Sequence, residues 1–230
     1  MSLSPKVFTL RFSDDLPLLH RASRLKGYPE CKLDSGDEYE FLLRPQAIQI
    51  VDILYAGDRT TVYLGRCEDN TELALKFTDN TDILEEAGAY DFLTSIQGSV
   101  LPKLYGALNG AATEGENLFC LVLERFGTRL QRRFCDLAKA EKAKILDKLV
   151  EGHHAGLRHL DIAERNVLVK DGDYRIADLG HAELHDPPCQ WTYNFTDHVE
   201  DDTVDAKDPS IGCGDIKARA EEMCFWDYGE

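Results

Sequence analysis

Apolar residues recur in short runs along most of the chain, and the clearest pair of runs lies near its middle. Val167–Lys170 is one run and Tyr174–Ala177 is the next, with Asp171-Gly172 between them. An Asp-Gly pair between two such runs is typical of a two-residue β-hairpin turn. Pairing across the hairpin brings Asn166, before the first strand, level with Asp178, after the second, about 5 Å apart. The sequence therefore predicts that an amide and a carboxylate meet at the open end of a hairpin.

Upstream of this hairpin, the chain has the pattern of an antiparallel sheet. From Ala47 onward, short β-rich runs alternate with turn-like polar clusters at the spacing of a meander. The runs read AIQIVDILY, TVYLGRC, ELALKF, VLPKLYG and LFCLVL. In the third run, strand alternation points Leu73 and Leu75 to one face. Ala74 and Lys76 then point to the other face.

Three segments are predicted as helices from their hydrophobic period and their end signals. The first runs from Asp82 to Gln97, the second from Ala138 to His154 and the third from Asp215 to Trp226. Gly98 and Gly156 follow the first two segments, at positions where helices commonly stop.

Composition and charge restrict the class of protein. The chain has 230 residues with 43% hydrophobic content, enough for a packed core, and no run of about eighteen apolar residues. A net charge of −16 opposes binding to nucleic acid and to acidic lipid. Seven cysteines without a C-x-x-C pair favour reduced intracellular thiols. We therefore expect a soluble, cytoplasmic protein with neither nucleic acid nor a membrane as partner.

The predicted hairpin end carries oxygen ligands for a hard cation. Asp161 lies in the loop that enters the hairpin, so a second carboxylate can project toward Asn166 and Asp178. Carboxylate and amide oxygens suit Mg²⁺, which leaves its other positions to water and phosphates. A further carboxylate close by can accept a proton from an attacking hydroxyl. Because the chain is so acidic, a phosphate-binding site must depend on a few placed cations and on metal.

These residues form a known pattern. The string His159-x-Asp161-x4-Asn166, followed by Asp178-Leu179-Gly180, resembles the catalytic loop and metal-binding loop of the eukaryotic protein kinase family. The resemblance implies that Asp161 is the catalytic base, and that Asn166 and Asp178 hold Mg²⁺. Arg165, directly before the asparagine, resembles the arginine of the tyrosine-kinase form of the loop and is the candidate phosphate or substrate cation. The family's histidine is a packing residue, so His159 is not predicted to be catalytic.

The resemblance extends to the β-rich segment. It implies that Lys76 binds the phosphates of ATP and that a helical glutamate aligns it; Glu86 is the candidate partner and Glu85 the alternative. By their positions in the family pattern, further nucleotide-binding residues are assigned. They are Gly57, Val62 and Ala74 around the phosphates and adenine, and Glu124 and Phe126 in the hinge that hydrogen-bonds adenine.

The chain departs from the family at two places. The family's glycine-rich loop aligns with Tyr55–Val62, where only Gly57 occupies a glycine position. Glycines let backbone amides approach phosphates closely, so their loss weakens a phosphate-cradling role. After Gly180 there is no Ala-Pro-Glu triplet, and residues 181–230 are too few for a full large lobe. Asp215, opening the last predicted helix, is the candidate anchor of the catalytic loop.

The resemblance implies an α+β, two-lobed, protein-kinase-like fold, with an antiparallel β small lobe and a reduced helical large lobe. Residues 46–126 are assigned to the small lobe and residues 127–230 to the shortened large lobe. Residues 1–45 are predicted as an N-terminal extension, with an edge strand at Lys6–Phe12 and a short helix at Leu16–Leu25.

The expected function is an ATP- and Mg²⁺-dependent phosphotransferase, an enzyme that transfers the γ-phosphate to a hydroxyl on a protein or small molecule. The alternative is a nucleotide-binding pseudokinase that acts as a scaffold or regulator, because the glycine loop is depleted. A third reading is transfer of another part of the nucleotide, such as AMP. Fold-level analogy does not choose among these functions.

One further pattern suggests metal ligands. His181, His185 and Cys189 recur at four-residue spacing, which would place them on one face of a helix. Pro187-Pro188 breaks any helix between them, so the pattern does not predict a metal site there.

Overall fold

The computed structural model divides the chain into two compact units. It describes residues 7–14, 16, 30–34, 47–78, 82–111, 117–200 and 212–226. The first unit consists of Met1–Gly88 and Lys103–Arg125, and the second of Ala89–Pro102 and Phe126–Glu230. The predicted helix Leu16–Leu25 lies outside the described residues except for Leu16. In the described part, no helix has both the length and the apolar composition that crossing a bilayer requires.

Seven strands of the first unit form a closed barrel. They are β1 (Val7–Phe12), β2 (Glu30–Asp34), β3 (Ala47–Ala56), β4 (Thr60–Cys67), β5 (Glu72–Thr78), β6 (Leu104–Ala111) and β7 (Asn117–Glu124). Their order around the barrel is β1-β2-β6-β7-β5-β4-β3. The barrel closes where β1 pairs in parallel with β3, and all its other neighbouring strands are antiparallel.

Strand alternation fills the barrel with apolar side chains. On β5, Leu73, Leu75 and Phe77 belong to the buried core, whereas Lys76 lies on the opposite face of the strand. The other members of this core are Phe8, Leu10, Leu33, Ile48, Ile50, Tyr63, Leu108, Leu118, Cys120 and Val122. The core thus includes residues of β1 and β2, which makes these strands part of the barrel and not an addition to it.

The second unit combines short strands with two α-helices. Its strands are β8 (Thr128–Arg129), β9 (Leu157–Arg158), β10 (Val167–Lys170), β11 (Asp173–Ile176) and β12 (Glu183–Leu184), and its helices are α2 (Lys139–His154) and α3 (Gly214–Glu222). One sheet has the order β11-β10-β8, and β9 pairs with β12 in a second. Tyr174 of β11 donates to Glu141 of α2 at 3.1 Å, which ties the helix to the first sheet. A further helix, α1 (Asp82–Phe92), has residues in both units because the first ends at Gly88.

The predicted α+β, two-lobed, protein-kinase-like fold is wrong. The described residues are mostly β, with a closed seven-stranded barrel and only three α-helices, of 11, 16 and 9 residues. The segment predicted as an N-terminal extension supplies β1 and β2, and these join the two edges of the sheet. The parallel pairing of β1 with β3 links distant segments, so no local sequence pattern signals it.

Most local predictions are confirmed. β10 and β11 pair as the predicted hairpin, and α2 begins one residue later than predicted. α1 is shorter than predicted because it ends at Phe92 and a separate 3₁₀ turn, Thr94–Ile96, follows it. α3 likewise ends at Glu222, before the predicted Trp226.

The close approach of the turn before β8 to strand β10 can be tested by a substitution at Gly127. Gly127 has a φ of +45°, and a Cβ there would overlap the backbone carbonyl of Val169 on β10. Gly127→Ala is therefore expected to lower the free energy of unfolding by about 2 kcal/mol or more, measured by urea denaturation. Gly214→Ala is the matched control, since a Cβ at Gly214 has no heavy atom within 4 Å. Equal stability of the two variants would contradict this prediction.

Candidate active site

The β10–β11 hairpin sets the geometry of the candidate site. Lys170 pairs with Asp173, so the turn consists of two residues, Asp171 and Gly172, with φ values of +51° and +78°. Positive φ at both positions is the conformation that an Asp-Gly turn favours. At the open end, the amide of Ala177 donates to the carbonyl of Asn166 at 2.8 Å, which extends the ladder beyond the two strands. Asn166 is therefore level with Ala177, and the prediction that it lies level with Asp178 is wrong by one residue, because the two-residue turn pairs Lys170 with Asp173.

Asn166 connects the hairpin to the preceding loop. Its side chain is buried, and Nδ2 donates to the backbone carbonyl of Asp161 at 2.8 Å and to Oδ2 of the same residue at 3.0 Å. With both amide hydrogens directed at Asp161, the acceptor of the side chain is Oδ1. This oxygen is the atom through which Asn166 can bind a cation.

Asp161 receives a second donor. The guanidinium of Arg165 forms an ion pair with its Oδ1. The backbone carbonyl of Arg165 in turn accepts a hydrogen bond of 2.8 Å from Nε of Arg129, on β8. Each carboxylate oxygen of Asp161 is thus held by a different residue, and the carboxylate has one defined orientation. Sequence reasoning missed Arg129, whose role follows from the pairing of β8 with β10 and not from a local motif.

His159 has a packing role beside the carboxylates. Its Nε2 lies 3.0 Å from the carbonyl of Ala177, and because a carbonyl can only accept, Nε2 carries the hydrogen. Nδ1 is buried and has no hydrogen-bond partner in the described structure. Burial lowers the pKa of His159, although the nearby Asp178 and Asp161 act in the opposite direction. A neutral imidazole that anchors the strand end agrees with the prediction that His159 is not a catalytic base.

Asp178 completes the oxygen ligands. It is exposed, directly follows Ala177, and has a φ of +69°, a left-handed conformation that aspartate tolerates better than most residues. Asp161 and Asn166 are joined by hydrogen bonds at this strand end, and Asp178 is the next residue along the chain from Ala177. Such an oxygen-only, partly exposed donor set fits Mg²⁺, which keeps several positions for water and phosphate.

The strand before this loop has its own anchor. Arg158 of β9 donates through Nε to Asp215 Oδ2 of α3 at 2.8 Å, and its Nη1 lies 3.7 Å from Glu183 of β12. Asp215 thereby fixes the residue directly before His159. This contact agrees with the anchoring role that the sequence assigns to Asp215.

The first unit contains a buried ion pair. Nζ of Lys76 lies 2.6 Å from Oε2 of Glu86, and the two side chains are only 10% and 3% exposed. Glu85, the alternative partner, is exposed on α1. The cross-strand neighbour of Lys76 on β4 is Val62, and Ala74 precedes it by two residues on the same face of β5. Three of the residues predicted to bind nucleotide therefore share one face of the barrel wall.

The other residues predicted to bind nucleotide, Gly57, Glu124 and Phe126, lie at separate places in the structure. The amide of Gly57 donates to the carbonyl of Thr60 at 2.8 Å, and the hydroxyl of Tyr55 lies 2.7 Å from where a Cβ of Gly57 would stand. Glu124 exchanges two hydrogen bonds with the backbone of Lys103. Phe126 belongs to the second unit, where its ring lies 3.9 Å from the guanidinium carbon of Arg175.

Known proteins supply no further assignment. No protein-family model matches the chain, and no curated protein matches it. The predicted roles of the candidate site residues therefore rest on their geometry and on the local resemblance of the loop and hairpin to protein kinase motifs.

The ion pair on the barrel wall is testable by its effect on stability. Glu86→Gln removes the carboxylate beside a buried ammonium and is expected to lower the free energy of unfolding by about 3 kcal/mol. The double variant Lys76→Met, Glu86→Met removes both charges and should recover most of that loss. Glu85→Gln, an exposed change on the same helix, should alter stability by less than about 0.5 kcal/mol. Equal effects of Glu85→Gln and Glu86→Gln in urea denaturation would contradict the assignment.

Proposed function

We propose that this chain is an ATP- and Mg²⁺-dependent phosphotransferase that moves the γ-phosphate to a hydroxyl on a protein or a small molecule. The observation that supports the proposal is the double hydrogen bond from Asn166 to Asp161, at a strand end where Ala177, the residue before Asp178, pairs with Asn166. A metal ligand, a second metal ligand and a proton acceptor are what phosphoryl transfer requires of a protein.

Four residues of the second unit, Asp161, Arg165, Asn166 and Asp178, each have a role in this proposal. Bound magnesium–ATP supplies the phosphoryl group and the charge neutralisation. Asn166 Oδ1 and the carboxylate of Asp178 hold the cation. Asp161 orients the acceptor hydroxyl and takes its proton at a carboxylate oxygen. Arg165 keeps Asp161 in position and supplies positive charge near the phosphates.

In the first unit, Lys76 is the predicted phosphate ligand. Glu86 holds the ammonium of Lys76 at 2.6 Å in a buried setting, so the lysine can bind phosphate oxygens without reorganising. Val62 and Ala74, on the same face, offer an apolar surface of the kind that adenine binds. Glu124 and Phe126 remain the predicted hinge contacts. A cytoplasmic setting stays a prediction from the sequence.

A second function is favoured by the turn between β3 and β4. The amide of Gly57 is committed to Thr60, and Tyr55 covers the same glycine, so this turn offers few backbone amides to a phosphate. A pseudokinase that binds nucleotide and acts as a scaffold would tolerate this arrangement. The two functions differ in turnover and not in nucleotide binding.

Phosphotransferase activity can be tested by substituting the proposed metal ligand and the proposed base. With Mg²⁺ and γ-labelled ATP, the wild-type chain is expected to release or transfer label. Asp178→Asn and Asp161→Asn should each lower that rate by about 100-fold or more, since each removes a charge that acts in the transition state. Asp171→Asn is the matched control, because it makes the same charge change in the turn of the same hairpin and should leave the rate unchanged.

The outcomes separate the functions. Binding of magnesium–ATP without turnover, and loss of that binding in Asp178→Asn, would favour the scaffold. Label on the product from α-labelled ATP would indicate transfer of AMP. Turnover that is equal in the wild type, Asp161→Asn and Asp178→Asn would overturn the proposal.

A further inference from the structure

A cluster of two histidines and two cysteines lies in the second unit, apart from the oxygen ligands of the hairpin. His153, His185, Cys189 and Cys213 each direct one nitrogen or sulfur atom to a common point, and these four atoms all lie within 4.8 Å of one another. His153 and Cys213 are buried, and His185 and Cys189 are partly buried. The set mixes imidazole and thiol donors, which are the ligands of structural zinc sites.

The chain brings these residues together from three separate segments. His153 lies in the last turn of α2, and Cys213 directly precedes α3. His185 follows β12, and its amide donates to the carbonyl of Gly156 at 2.8 Å. His185 and Cys189 are four residues apart, the spacing noted in the sequence, but they converge through a proline-containing loop instead of a helix. His181, the third member of that pattern, is exposed and outside the cluster.

Two of the distances between donor atoms match a tetrahedral zinc site, and the others do not exceed 4.8 Å. Cys213 Sγ lies 3.4 Å from His185 Nε2 and 3.5 Å from His153 Nδ1. With Zn–N bonds of about 2.0 Å and Zn–S bonds of about 2.3 Å, tetrahedral geometry separates a nitrogen and a sulfur ligand by about 3.5 Å. The two imidazole rings are 4.7 Å apart and inclined at 61°, so they do not stack and can direct their nitrogens to one point.

A hydrogen bond orients one of the histidines for metal binding. Nδ1 of His185 lies 2.7 Å from the carbonyl of Pro187. Because the carbonyl can only accept, Nδ1 carries the hydrogen and Nε2 presents its lone pair to the cluster. A ligand imidazole whose other nitrogen donates to a carbonyl is the usual arrangement at protein metal sites.

The backbone is shaped to allow this convergence. Gly212, beside Cys213, has a φ of +40°, and a Cβ there would overlap the carbonyl of Gln190, the residue after Cys189. Only glycine lets the two cysteine-bearing segments approach so closely. The glycine at position 212 therefore permits the close approach of the segments that carry Cys189 and Cys213.

We propose that His153, His185, Cys189 and Cys213 bind one structural Zn²⁺. Two thiols would bind as thiolates and release their protons to the solvent, and their two negative charges would neutralise the ion in this partly buried place. Four protein ligands leave no open position, so the role is structural and not catalytic. His153 precedes and His185 follows the whole loop and hairpin that carry Asp161, Asn166 and Asp178, so the ion would tie together both ends of that segment.

The test is the zinc content and zinc affinity of the full chain, produced without a histidine tag. After reduction, removal of metal and addition of Zn²⁺ alone, about one tightly held zinc per chain is expected by mass spectrometry of the metal. Co²⁺ in place of zinc should give the intense visible bands of a tetrahedral ion and a sulfur-to-cobalt charge-transfer band. Cys189→Ser should weaken zinc binding by more than about 100-fold, because losing only a hydrogen bond to a ligand weakens it about 10–100-fold.

Two controls guard against binding elsewhere. Cys135 and Cys224 have their sulfurs 2.6 Å apart and are the other described thiol pair in contact in this unit, so the variant Cys135→Ser, Cys224→Ser must retain the zinc. His181→Ala must retain it too. The proposal is overturned if the reduced wild type does not take up stoichiometric zinc, or if Cys189→Ser and His185→Ala hold it as tightly as the wild type. It is also overturned if Cys189 and Cys213 form a disulfide under reducing conditions.

Discussion

The register of one short hairpin is the constraint on which the candidate active site depends. Side chains alternate between the two faces of a strand, so a slip of one residue would turn every ligand away from the site. The positive φ values of Asp171 and Gly172 fix a two-residue turn, and this turn fixes the pairing of Val167 with Ile176. The bond from Ala177 to Asn166 carries that register to the position where the ligands lie.

The loop before the hairpin is held by ion pairs and side-chain hydrogen bonds as well as by backbone hydrogen bonds. Asp161 is bonded by Arg165 and Asn166, and Arg158, at the other end of the loop, is bonded by Asp215. Because each anchor joins a different element, no single strand or helix determines the site alone. The candidate ligands are thus supported by rigid neighbours, which is what a site that must bind a small cation requires.

Local features of this chain could be predicted from its sequence, whereas its architecture could not. The Asp171-Gly172 turn and the extent of α2, to within one residue, follow from patterns that span fewer than about twenty residues, whereas the pairing of Lys76 with Glu86 is implied by the family resemblance. The barrel depends on the parallel pairing of β1 with β3 and on one bridge between Asp34 and Asn109. Such pairings are set by packing between distant segments, and a motif resemblance that covers a loop and a hairpin does not determine them. For the same reason no local pattern predicts that His153 and Cys213, 60 residues apart in sequence, are neighbours.

The two proposed cation sites differ in donor chemistry, and this difference decides which ion each can hold. The hairpin site offers oxygen from Asn166, Asp161 and Asp178, which suits a hard ion that retains water. The cluster of His153, His185, Cys189 and Cys213 offers only nitrogen and sulfur, which bind zinc far better than magnesium. The four ligands meet only in the folded chain, so a zinc ion bound there would stabilise the folded state over the unfolded one, including the segment between His153 and His185. A structural ion in the second unit would therefore favour the ordered form of the very segment that carries the oxygen ligands.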